Sequence, residues 1–190
     1  MSLKPWETVA SGSVDPFRIF TVLRETARSP LTGRTHEFVI LDAPDWIQVL
    51  PITPDGGVVF VRQYRHGTRD VTLEIPGGMV HRGETPERAA TRELLEETGY
   101  AGRETRLLAS MHPNPAIQRN RCHVAVALDA RPVAPPRPDP GEEIAAEVLP
   151  LADVPGLIAS GRLSHALVIA AFSFLWLDAE VSERWRDARP

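Results

Sequence analysis

The sequence predicts an α+β or α/β/α architecture, and three observations carry that reading. Short strand-like runs separated by turn residues fill most of the chain, one amphipathic helix with an acidic face interrupts them, and two helical segments close it. Val9–Ser13, Phe17–Arg24 and Glu37–Leu41 read as strands bounded by turn residues. Within Arg18–Arg24, Ile19, Thr21 and Leu23 alternate with Phe20, Val22 and Arg24, and both sets hold apolar side chains. Trp46–Ile52 and Gly57–Tyr64 follow, joined by Pro54-Asp55-Gly56-Gly57, which predicts a hairpin. Leu73–Ile75, Arg106–Met111, Cys122–Leu128 and the close of a strand at Val148–Pro150 complete the strand set. Arg131–Pro140 carries Pro132, Pro135, Pro136, Pro138 and Pro140, so it reads as a surface loop. Val154–Ser160 and His165–Glu180 read as helices, the second with Leu167, Ala170, Ala171, Phe174 and Leu177 on a helical stripe.

The interrupting helix is the most informative element. Thr85 suits an N-cap, Pro86 the first helical position, and Thr98 with Gly99 a stop. Glu93, Glu96 and Glu97 then fall at i, i+3 and i+4 and share one face, while Ala89, Ala90, Leu94 and Leu95 supply the buried side. Carboxylates placed so closely repel each other, and a hard divalent cation relieves that repulsion. Oxygen donors without cysteine or paired histidine favour Mg²⁺ or Mn²⁺ over Zn²⁺. The alternative is a solvated acidic face softened by Arg88 and Arg92 through i,i+4 pairs.

Composition bounds the function. At 190 residues, with 43% hydrophobic and 24% charged side chains, the chain can bury a full core. A net charge of −4 argues against a general nucleic-acid binder. Cys122 is the sole cysteine, so no internal disulfide forms and a reducing, cytoplasmic setting is expected. Met1 to Trp6 lacks an apolar signal core, and Ala166 to Leu177 is too short to span a bilayer, so no membrane association is expected. The six histidines do not form a metal-ligand spacing, and Cys122 reads as a buried structural residue. Trp6 and Trp46 read as core or interface packing, or else as stacking surfaces for a base.

The stretch from Gly78 to Tyr100 resembles the Nudix box, the pattern G-x5-E-x7-R-E-U-x-E-E-x-G-U with U a bulky apolar residue. Gly78, Glu84, Arg92, Glu93, Leu94, Glu96, Glu97, Gly99 and Tyr100 fill it, with Tyr100 aromatic where an aliphatic residue is usual. The resemblance implies an α/β/α sandwich with a mixed sheet and an N-terminal antiparallel strand region. It also implies an enzyme that cleaves a nucleoside diphosphate linked to another moiety. Upstream, Val61-Arg62-Gln63-Tyr64-Arg65 and Glu74-Ile75-Pro76-Gly77-Gly78 are similar to the signature of ADP-ribose pyrophosphatases and nucleoside diphosphate sugar hydrolases. By that resemblance the chain is one domain over 1–190, with 1–45 a strand region used in homodimerisation and 46–190 the core. Pro115 follows Gly99 by sixteen residues, a spacing associated with ADP-ribose hydrolysers of the family.

The family pattern implies two or three Mg²⁺ or Mn²⁺ ions held by Glu93 and Glu97, with help from Glu96 and the backbone carbonyl of Gly77. It gives Arg92 an orienting role through Glu84, and it places a general base in a later loop, where Glu142 or Glu143 stands. Arg62 and Arg65 are expected at the pyrophosphate, or else as exposed edge-strand charges. Glu74 forms a structural ion pair or contacts ligand. The loop His112–Arg121 departs from the usual ADP-ribose loop. Its Asn114, Gln118, Asn120 and Arg121 suit hydrogen bonds to sugar hydroxyls or phosphate, or else a polar turn closing a strand. The expected substrate is ADP-ribose or another nucleoside diphosphate sugar. A triphosphate or coenzyme A pyrophosphatase fits the upstream signatures less well, and a non-catalytic nucleotide sensor would be expected to lose box glutamates that are all present here.

Overall fold

A computed structural model of the chain describes residues 6–17 and 19–184, in two compact units. The first comprises the chain up to Asp45 together with His112–Arg121, and the second comprises Trp46–Met111 with the chain from Cys122 onward.

In the first unit, β1 (Glu7–Pro16), β2 (Thr21–Arg28) and β3 (Thr35–Asp42) form an antiparallel meander. The β2–β3 turn closes through Ser29, whose Oγ accepts from Leu31 N and Thr32 N, and through Gly33 in the left-handed region at φ 71°. Sequence reasoning placed a strand over Phe17–Arg24, but the ladder starts only at Thr21. Phe17 N donates to Phe20 O at 2.8 Å, so the apolar run makes a turn instead and leaves Phe17 and Ile19 exposed. Arg18 lies outside the described residues. Trp6 packs edge-on against His36 and Phe38.

The second unit is built on a mixed sheet ordered β12 (Ile144–Pro150), β5 (Gly57–Arg65), β4 (Trp46–Ile52), β10 (Cys122–Leu128) and β9 (Glu104–Met111). Two further strands join it, β6 (Asp70–Glu74) on β5 and β7 (Gly77–Met79) on β4. β4 and β10 run parallel, and the other pairings are antiparallel. The predicted turn between β4 and β5 is present, with Gly56 N donating to Thr53 O and Thr53 N to Gly57 O. β7 pairs with β4 at Trp46–Gln48, and β6 with β5 at Val61–Arg65.

Alternation along β4 assigns the two faces. Ile47 and Val49 pack with Ala125, Ala127 and with Ala89, Ala90 and Leu94 of α1 (Pro86–Thr98). Leu50 and Ile52 face the larger cluster, which contains Phe60, Val126, Leu128, Leu151, Val154 and Leu157. That cluster also holds Val168, Ala171, Phe172 and Leu175 of α3 (Ala166–Leu177). A 3-10 turn at Leu151–Asp153 and α2 (Val154–Ala159) complete the layer on this side. Helix, sheet and helix therefore stack as three layers, an α+β architecture with a mixed sheet.

One helix boundary differs from expectation. The segment read as one helix over His165–Glu180 divides into α3 and α4 (Ala179–Arg184). Asp178 takes an extended conformation between them and accepts from Val181 N, a capping role that competes with helix continuation. Arg106 anchors the same carboxylate with two 2.8 Å bonds. β12 closes over Val148–Pro150, where the sequence placed the end of a strand, and it begins at Ile144 with its backbone paired to β5 throughout.

Candidate functional site

Local sequence fixes α1 at both ends. Thr85 is the N-cap and accepts from Arg88 N, and Pro86 opens the helix. Gly99, at φ 73°, ends it with its N–H on Leu95 O. Ala89, Ala90 and Leu94 are fully buried, whereas Leu95, one step further round the helix, is exposed rather than part of the buried side. Glu96 and Glu97 lie in the last turn, where the negative end of the helix dipole disfavours acidic side chains by about 0.3–1 kcal/mol each, and Glu93 stands one turn before them. Helix stability alone does not explain that placement.

Arg92 organises the acidic face. Its Nε and Nη2 donate to the two oxygens of Glu84, both at 3.0 Å, while Nη1 reaches Glu93 Oε1 at 2.8 Å and Glu96 Oε2 at 3.1 Å. Nη2 also donates to Met79 O. These contacts hold the Glu84 carboxyl down at about 2, the Arg92 hydrogen bonds being the largest cause. Sequence reasoning did not foresee the Met79 carbonyl, because backbone acceptors leave no trace in side-chain patterning.

Glu97 is the most confined of the group, 5% exposed, and its Oε2 accepts from Gly77 N at 3.1 Å. Burial pushes its pKa up to about 8; the Gly77 bond opposes that rise, and the charges of Glu93 and Glu142 add to it. Glu93 is also raised, mainly by burial, with Arg92 acting against the shift. Two glycines allow close approach here, Gly77 to the backbone of β4 and Gly78 to the Glu93 carboxylate. A Cβ at Gly77 would fall 2.2 Å from Ile47 O, and one at Gly78 would fall 2.4 Å from Glu93 Oε1. The Glu93 carboxylate therefore lies directly against the backbone of β7.

A second group is drawn from β5, β6 and the loop ahead of β12. Arg65 grips Glu74 in a two-pronged pair, Nε to Oε1 and Nη2 to Oε2, each at 2.8 Å. Thr72 Oγ1 adds a 2.6 Å bond to Glu74 Oε1. Burial alone would raise Glu74, but the Arg65 and Thr72 bonds outweigh it and hold the carboxyl below its ordinary value. Charges on Glu97 and Glu142 both bear on Arg65. Arg62 instead pairs with Glu147 at 2.6 Å on the neighbouring strand. Of the two loop glutamates, Glu142 is the one whose charge acts on Glu93 and Glu97, while Glu143 is exposed. Glu142 Oε2 accepts from Asp139 N at 3.2 Å. Thr72 was absent from the sequence reading, although it stands two residues before Glu74 on β6 and so shares its face of the strand.

Asn114, Gln118 and Arg121 belong to the first unit. Asn114 Oδ1 caps its own turn by accepting from Ala116 N, and its carbonyl accepts from Gln118 N. Gln118 bridges Leu41 of β3 in a parallel sense, and Arg121 N donates to Asp45. Asn120 is buried, with Nδ2 on Pro44 O.

Among the described residues, no three histidine, cysteine, aspartate or glutamate side chains already stand as a metal cage. The donor set of Glu93, Glu96 and Glu97 still fits a hard divalent cation. It is all carboxylate oxygen, its buried members are raised by burial and neighbouring acids, and its excess charge is met only in part by Arg92. Among the described residues no helix is long and apolar enough to cross a membrane.

Comparisons with known proteins agree with this geometry. The family model of the NUDIX domain matches residues 46–172. An ADP-ribose pyrophosphatase of Bacillus subtilis is 27% identical over 90% of this chain and 92% of its own length. An ADP-sugar pyrophosphatase of Mus musculus is 31% identical over 86% of this chain and 80% of its own. A crystal structure of an ADP compounds hydrolase superposes with a TM-score of 0.85, at 23% identity, over 98% of this chain and 99% of that one, a likeness of fold. With the family match running from the first strand of the mixed sheet into α3, this chain belongs to the Nudix hydrolase family.

Proposed function

We propose that the protein hydrolyses the pyrophosphate bond of ADP-ribose or another nucleoside diphosphate sugar, giving a nucleoside monophosphate and a sugar phosphate. The observation that carries this reading is the convergence of the Arg65–Glu74 pair and Glu142 on the buried glutamates of α1. The names of the relatives from Bacillus subtilis and Mus musculus point to the same substrate class.

Nudix hydrolases in general require a divalent metal. Glu93, Glu96 and Glu97, with the carbonyl of Gly77, would hold two or three Mg²⁺ or Mn²⁺ ions. Such ions supply charge neutralisation for the pyrophosphate and acidify an attacking water. The chain's own residues do the rest. Arg92 keeps Glu93 and Glu96 directed and stops their repulsion from splaying the site. Gly77 N–H orients Glu97, leaving its other oxygen available. Arg65 stands as a cation for the substrate's phosphates, preset by Glu74 so that little side-chain entropy is lost on binding. Glu142 takes the proton of the attacking water, and its position near Glu93 and Glu97 supports it over Glu143 in that role. Asn114, Gln118 and Arg121 bind the sugar or its phosphate. Arg62, tied to Glu147, acts on the substrate only after breaking that pair.

The N-terminal strand region 1–45 is proposed to form a homodimer. Val9, Phe38 and Val39 of its sheet are exposed, apolar side chains of the kind a second copy would cover. Light scattering measures the assembly directly.

Phosphatase-coupled release from ADP-ribose, ADP-glucose, GDP-mannose, UDP-glucose, NADH, diadenosine polyphosphates and deoxynucleoside triphosphates, with Mg²⁺ and with Mn²⁺, tests the reaction. Preferential cleavage of ADP-ribose or one nucleotide sugar is expected. Exclusive cleavage of triphosphates would refute the substrate class.

A further inference from the structure

The proline-rich segment after β10 is not a free surface loop. It begins as a short strand, β11 (Arg131–Pro132), paired with β8 (Tyr100–Ala101) directly beyond the end of α1. Val133 N and Ala134 N then both donate to Gly99 O, at 2.9 and 3.2 Å. Arg137 N donates to Glu96 O at 2.7 Å, taking up one of the carbonyls that a helix C-terminus leaves without a partner. The approach is close enough to exclude any side chain. A Cβ at Gly99 would fall 2.0 Å from Ala134 O and 3.2 Å from Pro136 N. The box glycine therefore serves two purposes, ending the helix and admitting this segment.

Five residues past the Arg137 anchor stands Glu142. Pro138 and Pro140 lie between them and restrict the backbone to few conformations. The Asp139–Glu142 turn is closed by Glu142 N on Asp139 O at 2.9 Å, and β12 begins at Ile144, already bonded to β5. Glu142 is thus fixed from behind by the α1 terminus and from ahead by the sheet. Glu96 supplies both a carboxylate on the acidic face and the carbonyl that anchors the strap.

We propose that Val133–Pro140 is a positioning strap, registered on α1 through Arg137 N–H and Gly99, that sets Glu142 against the glutamates of the same helix. The inference rests on the proposed role of Glu142, and it concerns placement rather than chemistry. A residue that acts through Glu142 has a specific signature: its effect disappears once Glu142 no longer works.

The test uses the full chain with ADP-ribose and Mg²⁺. R137P removes the anchoring N–H, and P136G/P138G leaves that N–H in place but loosens the strap. Each is made alone and combined with E142Q. E142Q is expected to lower kcat about 100-fold, the lower range for loss of a general base. R137P is expected to lower kcat about tenfold with KM unchanged, since small misplacements of a reacting group cost that much or more. P136G/P138G should give a smaller loss of the same kind, and neither should slow E142Q further. R137P or P136G/P138G at the parent rate, alongside a slow E142Q, would refute the strap alone. Losses that multiply with E142Q would also refute it, because the segment would then act through the fold at large. An E142Q enzyme at the parent rate would instead remove Glu142 from the reaction and take the strap's purpose with it. Should R137P fail to fold, P136G/P138G in the two backgrounds decides the matter.

Discussion

Helices α1 and α3 cover opposite faces of one sheet and use their side chains in opposite ways. α3 is apolar nearly throughout and buries Val168, Ala171, Phe172 and Leu175, with Phe172 stacked on Phe60 at 5.8 Å. α1 buries only small residues and one leucine on the sheet, then turns an acidic face outward and confines Glu97 at its edge. The larger apolar cluster lies on the α3 side of the sheet and the buried acid on the α1 side. A buried, raised carboxyl and acids at the wrong helix end are costs that packing on the α3 side can carry. Turnover and stability should therefore respond separately to substitution on the two faces.

The largest separation is expected at Glu97 and Phe172. Glu97→Gln should lower kcat on the order of 1000-fold, about 4 kcal/mol of transition-state stabilisation. Its melting temperature should hold or rise, because a carboxyl that burial disfavours in its ionised form gives way to a neutral amide of the same shape. Parent-level turnover at saturating Mg²⁺ would remove Glu97 from the site. Phe172→Ala should do the reverse, costing about 3–5 kcal/mol of stability while the folded fraction keeps its kcat. Denaturant titration paired with activity at low temperature checks both halves. A drop in kcat equal to that of Glu97→Gln would break the division between the faces.

Gly78→Ala sharpens the comparison from the backbone side. Its Cβ would meet the Glu93 carboxylate, so Glu93 must move, and kcat should fall about tenfold or more through misplacement. The expected stability loss is small, since a flexible side chain yields. A crystal structure of the variant with Glu93 unmoved would contradict this.

The smallest effect concerns pH, on the α3 side. Arg106 holds the Asp178 carboxyl below its ordinary value. The sign follows from linkage: the native state binds fewer protons than the unfolded chain in this window. The pair's contribution is present above the ordinary aspartate value and is lost as pH falls through the depressed one. Asp178→Asn keeps a capping side chain but should flatten the acid limb of stability against pH. An unchanged acid limb would assign acid sensitivity to other carboxylates, such as Glu84 or Glu74.

Several features were legible because they are local. Caps at Thr85 and Gly99, and three glutamates on one turn of helix, follow from spacing along a single element. The hairpin at Pro54–Gly57 follows from turn chemistry of the same short range. The apolar run Phe17–Arg24 misled for a related reason. Periodicity registers which residues tend to strands, and it does not see that Phe17 N reaches Phe20 O and delays the ladder to Thr21. His165–Glu180 shows the same limit, since Asp178 reads as a tolerable helix residue until Arg106, far off in sequence, fixes its carboxylate.

By itself the sequence determined the local constellation: acidic side chains at helical spacing, the arginine among them, and the glycines on either side, all within one segment. Tertiary structure alone decided which distant groups join it. Arg65 was committed to Glu74 and Arg62 to Glu147 by strand register, and the charge of Glu142, in the loop ahead of β12, came to bear on Glu93 and Glu97. The proline-rich segment became a strap because Glu96 and Gly99 present open carbonyls at the helix end. Contacts within one helix depend on a fixed local period, whereas contacts between strands and loops depend on how hydrophobic faces and unpaired backbone groups are satisfied across the whole fold.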